Sequence, residues 1–383
     1  MKLLILGGGV FLGAAALRSA LAGGHRVTVF NRGRSCSVWP AGVEVLTGDR
    51  SADLSALVHH GSRPWDAVID TCGYVPADVR ASARVLGGCG RYLFVSSVSA
   101  YATTSQVPVR ETDALASAAG IAPDDRDPKH YGPQKAACEA EVHAAFGDRA
   151  LIVRPGLIVG PGDRSGRFSH WPWRVAAGGE MLVPDVADYA TDGATDSATD
   201  SEPLQFIDVR DLGDWLVRLI QHGAHGVFNA TGPVGAASIG WTTLLTACRI
   251  EAAARGLPPA DAVRVDEAFL LQHAVQPWSE LPLWLPLTQA EYAGFNRIDL
   301  TRARAAGLRT RPLRDTLGAV LDEGLPAADD KRRAGKLSRD REAQLLAAWA
   351  PVSAPVSALV SAPISAPIEM PPAKPAPTPP EAG

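Results

Sequence analysis

Short, continuously apolar runs alternate with helix-compatible segments over the first 160 residues. The runs fall at Leu3–Leu6, Val27–Phe30, Val43–Leu46, Ala67–Asp70, Tyr92–Ser96 and Leu151–Val153; between them Phe11–Ala22, Ala77–Leu86 and Lys135–Phe146 suit helices. Strands without a polar face are buried on both sides, and their alternation with helices predicts a parallel sheet covered on both faces. Past Gly160 the pattern loosens and Pro, Gly and Trp become frequent. Phe206–Val209 and Val227–Asn229 then resume it around a predicted helix, Leu212–Gln221, with Asp211 as its N-cap. The expected fold class is α/β, a doubly wound parallel sheet with a smaller C-terminal substrate lobe. Residues 1–160 make the sheet domain, to which 204–232 return. Residues 161–203 and 233–325 make the lobe, and 326–350 a C-terminal helical segment with a short amphipathic helix over Ser338–Ala350.

Two stretches depart from any core pattern. Thr191–Ser201 reads TDGATDSATDS, an acidic, small-residue repeat expected to be a solvated mobile loop. Its aspartates lack the spacing of a calcium loop. Residues 351–383 repeat VSAP and then run through PPAKPAPTPP, a composition that cannot build a core and predicts a disordered tail.

The chain has 383 residues and a formal net charge of −4, which argues against a nucleic-acid partner, since phosphate-backbone binding needs a basic patch. Five scattered cysteines (Cys36, Cys72, Cys89, Cys138, Cys248) show no metal or disulfide spacing, so no metal is expected and a reduced, cytoplasmic setting fits best. No run reaches the ~18–20 apolar residues of a membrane span. The first 22 residues have some features of a secretory leader. Against that, Gly7-Gly8-Gly9 interrupts the apolar run and Arg18 follows it closely, which favours strand, glycine turn and helix.

That turn, Gly7-Gly8-Gly9-Val10-Phe11-Leu12-Gly13, joins the first strand to the first helix. Glycines allow a backbone to approach a pyrophosphate at a helix N-terminus, where free N–H groups favour an anion. The second strand ends at Phe30-Asn31-Arg32-Gly33-Arg34. An NAD site usually carries a carboxylate there for the ribose 2′-hydroxyl; Asn31, Arg32 and Arg34 instead suit a 2′-phosphate, so NADP(H) is expected over NAD(H). Tyr131 and Lys135 are four apart, hence on one helix face, in a chain with only six lysines. A compact ammonium suits a site that must lower a phenol's pKa and also bond a sugar hydroxyl.

In order along the chain, five further segments carry a resemblance: Gly48-Asp49 after the third strand, Phe94–Tyr101 (FVSSVSAY), Tyr131-x-x-x-Lys135, Arg154–Pro161 (RPGLIVGP) and Phe206–Leu212 (FIDVRDL). Together with the glycine turn they resemble the extended short-chain dehydrogenase/reductase superfamily, the NAD-dependent epimerase/dehydratase group, from Met1 to about residue 325. GGGVFLG resembles an atypical subgroup that includes plastid RNA-associated proteins and bacterial isoflavone-reductase-like sequences. The resemblance implies a Rossmann-type fold and an NAD(P)-dependent oxidoreductase. Tyr131 would be the acid/base on the reacting oxygen. Lys135 would bond the nicotinamide ribose and lower the Tyr131 pKa, and Ser97 would hold the substrate oxygen, with Ser96 and Ser99 as near alternatives. It further implies that Asp49 reaches the adenine and that Arg50, Thr71, Cys72, Gly73, Ser96, Pro155 and Gly156 line the cofactor. His130 is a proton relay or a structural residue. Cys72 fits packing better than nucleophilic attack, for no base stands near it in sequence. A small-molecule substrate is implied, no membrane partner, and a homodimer as the common assembly.

The departures from the group's pattern bear on substrate. Sugar-nucleotide dehydratases place Asp-Glu where this chain has Val98-Ser99, and many UDP-sugar enzymes place Asn at Leu157 and a diphosphate-binding Arg at Leu204. Trp171, Trp173, Trp278 and Trp284 fit either the lining of an apolar ligand site or the core of the lobe. The favoured reading is NADP(H)-dependent reduction of an apolar or aromatic carbonyl compound. A nucleotide-sugar epimerase or dehydratase and a non-catalytic cofactor-binding or RNA-associated protein are the alternatives.

Overall fold

The computed structural model describes every residue except 35, 37, 61–63, 186–201, 235–237, 328 and 351–383. The Thr191–Ser201 insertion and the tail from Pro351 lie outside the described residues.

Seven strands form one parallel sheet: β1 (Lys2–Leu6), β2 (Arg26–Asn31), β3 (Val43–Thr47), β4 (Ala67–Asp70), β5 (Tyr92–Val95), β6 (Ala150–Pro155) and, after three strands outside it, β10 (Gly226–Ala230). Their order is β10-β6-β5-β4-β1-β2-β3. β1 lies at the centre, and Leu6 faces Phe30 on one side and Asp70 on the other. The chain therefore leaves β1, β2 and β4 at one level, so the segments after these strands converge on one edge. β1, β4 and β5 are almost wholly buried, as their continuous apolar runs require. β3 departs from that expectation. It is the sheet's edge, and its pattern is largely open, with Val45 exposed. Edge position, not hydrophobicity, sets its burial.

Helices α1 (Phe11–Ala22) and α6 (Val209–Gln221) cover one face, and α3 (Pro76–Leu86) and α4 (Tyr131–Phe146) the other, with the short α2 (Ser55–His60) beside α3. Leu3, Ile5, Val27, Val29 and Ile69 point to the first layer; Leu4, Leu6, Val68 and Phe94 point to the second. This is the period-two alternation of strands apolar on both faces. Two boundaries differ from expectation. α4 starts a turn earlier, at Tyr131, because Pro133 falls in the first turn, where its missing N–H costs nothing. α6 starts at Val209 with Asp208, not Asp211, as N-cap: the Asp208 carboxylate accepts from Arg210 N at 2.8 Å. Asp211 instead accepts from Arg311 through backbone N and Nε, each at 2.8 Å.

The rest of the chain packs a second core. β7 (Leu157–Val159) pairs with β9 (Phe206–Asp208), and β8 (Glu180–Asp185) with β11 (Asp261–Asp266). Around them lie α5 (His170–Ala176), α7 (Trp241–Ala254), α8 (Glu267–Gln272), α9 (Thr301–Ala305), α10 (Leu313–Asp322) and α11 (Arg339–Trp349). Ser338 caps α11, accepting from Arg341 N. Glu342 of α11 is buried in an ion pair with Arg174 of α5 at 2.8 Å, which fastens the C-terminal segment to the lobe.

Candidate active site

The C-terminal ends of β1 to β6, together with the start of α4, supply the residues singled out in the sequence. This edge of a doubly wound sheet is where such folds bind ligands. Gly7 and Gly8 have φ of +105° and +81°, a region closed to most residues. A β-carbon on Gly7 would stand 2.6 Å from Thr71 Oγ1, and one on Gly13 2.5 Å from the Gly8 nitrogen. The turn thus folds tightly onto the Thr71–Gly73 segment, where Thr71 Oγ1 donates to the Leu6 carbonyl at 2.9 Å. Val10 precedes α1 without a side-chain cap, and the helix carries no acidic residue in its first turn. Phe11, its first residue, has φ +43°. An uncapped helix N-terminus behind a glycine turn suits a phosphate.

Orphaned polar atoms mark the same edge. Asn31 Nδ2, Ser96 Oγ, Thr231 Oγ1 and Arg50 Nε are buried without a hydrogen-bond partner. Native interiors rarely leave such groups unpaired, so the residues present fit a polar ligand lying across these strand ends. Asn31 Oδ1 is already used by Gly33 N at 2.7 Å. Arg32 and Arg34 are exposed beyond it. Asp49 accepts from Ser51 N and Oγ, and these bonds, with smaller contributions from Arg32 and Arg34, hold its carboxyl below the usual range. Gly156 lies close against Thr231: a β-carbon there would meet Thr231 Oγ1 at 2.8 Å. Thr231 escaped the sequence reading; its signal is its place just past β10, beside the RPGLIVGP segment.

Arg50 differs from the other expected cofactor contacts. Its guanidinium turns inward and grips Asp70 with two bonds of 2.7 and 3.0 Å. Asp70 is fully buried and also accepts from Tyr92 Oη at 2.7 Å and Cys72 N at 3.1 Å. Burial pushes the Asp70 carboxyl up, but Arg50 outweighs it and the net shift is downward. Cys72 takes a long contact of 3.5 Å from Arg50 Nη1, and burial raises its thiol pKa, which keeps it in the unreactive form.

Ser97, Tyr131 and Lys135 come together. Ser97 begins the short 3₁₀ turn Val98–Ala100 after β5 and accepts from Ser99 N at 3.1 Å. Its side chain lies near enough to the Tyr131 phenol to lower that group's pKa. Gly132 makes this approach feasible, since a β-carbon there would stand 2.2 Å from the Ser99 carbonyl oxygen. Burial raises the Tyr131 pKa and the neighbouring Ser97 side chain partly offsets it. The residue keeps 39% exposure, so solvent tempers the shift. Lys135 is buried at 3% exposure, donates to the Gly73 and Val95 carbonyls at 2.7 and 2.6 Å, and lies 4.3 Å from the Phe94 ring centre. Burial lowers its pKa to about 8. The expected lowering of Tyr131 by Lys135 is therefore not what this geometry gives: the ammonium is drawn onto two carbonyls at the floor, and Lys135 is not among the groups that shift the phenol. His130 Nδ1 is tied to Asp125 at 2.7 Å.

A buried polar network behind the site was not apparent in the sequence. Arg154 pairs with Glu139 (2.7 Å) and donates to Tyr101 Oη (3.1 Å), which donates to Asn229 Oδ1 (2.6 Å). It ties the loop beyond Ser97 and the helix α4 to the ends of β6 and β10. A cavity of about 260 Å³ in the lobe, between Val107, Trp241, Leu283, Tyr292 and Arg297, includes none of the expected site residues. The tryptophans resolve against a ligand lining: Trp171 and Trp284 are fully buried and Trp173 nearly so, in the lobe's own core. Only Trp278 is partly open.

A parallel sheet in this order, with a glycine turn at its central strand, defines a dinucleotide-binding fold of the Rossmann type. The chain belongs to the NAD dependent epimerase/dehydratase family, whose model matches residues 3–231. It is 32% identical over 193 residues to 2'-dehydrokanamycin reductase of Streptomyces kanamyceticus, covering 48% of this chain and 52% of that protein. It is 30% identical over 211 residues to 2-alkyl-3-oxoalkanoate reductase of Stenotrophomonas maltophilia (strain K279a), covering 50% and 57%. These matches thus span about half the length of each curated relative. The Bordetella bronchiseptica enzyme WbmH, solved in complex with NAD+, superposes with a TM-score of 0.56 at 17% identity over 85% of this chain and 99% of that one. At that identity the likeness concerns the fold. No helix among the described residues is long and apolar enough to cross a membrane.

Proposed function

We propose that the protein is an NAD(P)-dependent oxidoreductase that reduces the carbonyl group of an apolar small molecule, with NADP(H) preferred. The observation that carries this reading is the convergence of Ser97 and Tyr131, one helical turn from buried Lys135, at the ligand-binding edge of the sheet. When bound, the nicotinamide would supply or accept the hydride. The Tyr131 hydroxyl gives its proton to the substrate oxygen as charge develops there, and Ser97 orients that oxygen. A phenol whose pKa is raised stays protonated at neutral pH, the form a proton donor needs. Lys135 is held under the site by two carbonyls and keeps a third donor for a ligand hydroxyl. Gly7–Gly13 and the start of α1 would hold the pyrophosphate, Asn31, Arg32 and Arg34 the adenosine 2′-phosphate, with Asp49 beside them, and Thr71, Gly73, Ser96, Pro155 and Gly156 the remainder.

The apolar substrate rests on Leu157 and Leu204. Both pack against the lobe core, Leu204 at 2% exposure, so no polar group for a nucleotide diphosphate stands at either position. The two curated reductases support carbonyl reduction, and an oxoalkanoate as the second one's named substrate is consistent with an apolar chain. The test is a screen of alkyl and aryl carbonyl compounds followed by NADPH absorbance, run beside titrations with UDP- and dTDP-sugars. Net NADPH oxidation with an apolar carbonyl is expected. Low-micromolar binding of a sugar nucleotide, with retained cofactor and no net oxidation, would overturn the reading in favour of an epimerase.

A further inference from the structure

Most cations at the junction of the lobe and the C-terminal segment have carboxylate partners. Arg174 pairs with Glu342 (2.8 Å), Arg332 with Asp330 (2.8 Å) and Arg341 with Glu280 (2.9 Å). Arg167 and Lys336 break that rule. Both are half-buried, and among the described residues neither side chain has a hydrogen-bond or ion-pair partner. The one carboxylate close enough to influence them, Asp163, is spent on its own turn: Oδ1 accepts from Ser165 N at 2.8 Å and Oδ2 from Ser165 Oγ at 3.0 Å. Burial, then the charge of Arg167, lowers the Lys336 pKa, and Asp163 offsets only part of that. Two neighbouring cations with no direct carboxylate bond suit an anionic ligand.

Its position points the same way. The segment carrying Asp163 and Arg167 continues from β7, and a β-carbon on Gly162 would lie 3.8 Å from the ring of Phe11, the first residue of α1. The Arg167 guanidinium lies 5.7 Å from the centre of the Trp278 ring, the one tryptophan of the four not consumed by the core. Trp278 meets Phe295 edge-on at 4.9 Å, and the neighbouring Gly294 donates to the Thr104 carbonyl in the loop that leaves Tyr101. Arg167 and Trp278 thus lie in the part of the lobe that packs against the loop beyond Tyr101.

We propose that Arg167 and Lys336 form a binding site for an anionic headgroup, a carboxylate or a phosphate monoester, on a ligand whose apolar part lies along Trp278. This deepens the reductase reading by making the substrate an acid, and it rests on that reading only for the ligand's being a substrate. The test is direct binding to the full chain, by calorimetry, of three probes with one tail: octanoate, octyl phosphate and 1-octanol. At least one anion binds the native protein about 10-fold or more tighter than the alcohol, the scale of one charge-assisted hydrogen bond. The tighter anion identifies the headgroup. Arg167→Gln and Lys336→Gln, on separate segments and checked for native circular dichroism, each lose that advantage. Anions that bind no better than octanol, or bind both folded variants as they bind the native chain, overturn the site. Because binding needs no turnover, a protein that binds the anions but reduces no carbonyl sinks the reductase reading and leaves this site standing.

Discussion

Gly132 and Ser99 approach so closely that a β-carbon on the former would stand 2.2 Å from the carbonyl oxygen of the latter. That contact seats the start of α4 against the turn carrying Ser97 and sets the distance between the two hydroxyls of the site. Gly132→Ala must push one segment away from the other. A displacement near 1 Å is enough to cost about 100-fold in rate. We expect kcat/KM to fall on that scale while cofactor affinity, measured by fluorescence titration, is retained. Unchanged kcat/KM would mean that the spacing does not govern the chemistry.

Lys135 gives a pH signature. Its folded pKa is about 8 against an ordinary 10.5. Below pH 8 it is protonated folded and unfolded, and the full cost of burying its charge is present. Between about 8 and 10.5 the unfolded chain binds more protons, so this residue's contribution to stability rises with pH. The rise is up to about 3 kcal/mol. The measurement is urea unfolding of the native chain and Lys135→Met across that window. The stability difference between them should shift towards the native chain as pH increases; a flat difference contradicts the assignment. Activity should fall above pH 8 as the ammonium loses its charge.

Asp70 is fully buried and depends on Arg50 to stay charged. Arg50→Met strands that carboxylate and should destabilise the fold by about 3–5 kcal/mol. Asp70→Leu added to it should recover much of the loss, because the pair then leaves together. Denaturant midpoints of the two variants decide the point. If Arg50→Met were as stable as the native chain, the pair would not support this part of the site.

Arg32 and Arg34 stand where a ribose carboxylate is missing. Replacing both with Asp should move the ratio of NADPH to NADH affinity towards NADH by about 10-fold or more. A ratio that does not move would place the 2′-phosphate elsewhere.

Local pattern carried much of this into the sequence. The strands of the central sheet show as apolar runs because both their faces are buried, and Tyr131 and Lys135 show as a pair because helix spacing is local. The glycine turn is legible for the same reason. What escaped depends on partners far apart in the chain. Arg154 and Glu139, Tyr101 and Asn229, and Arg50 and Asp70 become pairs only once the sheet is assembled. Asp208 and Asp211 are equally good caps by residue type; the turn in the backbone at Asp208 chose between them. Burial of Trp171 and Trp284 followed from lobe packing, which no spacing rule encodes.

The most direct test of the central claim is single-turnover reduction of a carbonyl substrate by native protein and Tyr131→Phe, with NADPH affinity measured on the same samples. The account predicts equal cofactor binding and a loss of about 100-fold or more in the rate of NADPH oxidation by the variant. A Tyr131→Phe protein that turns over at the native rate would contradict it.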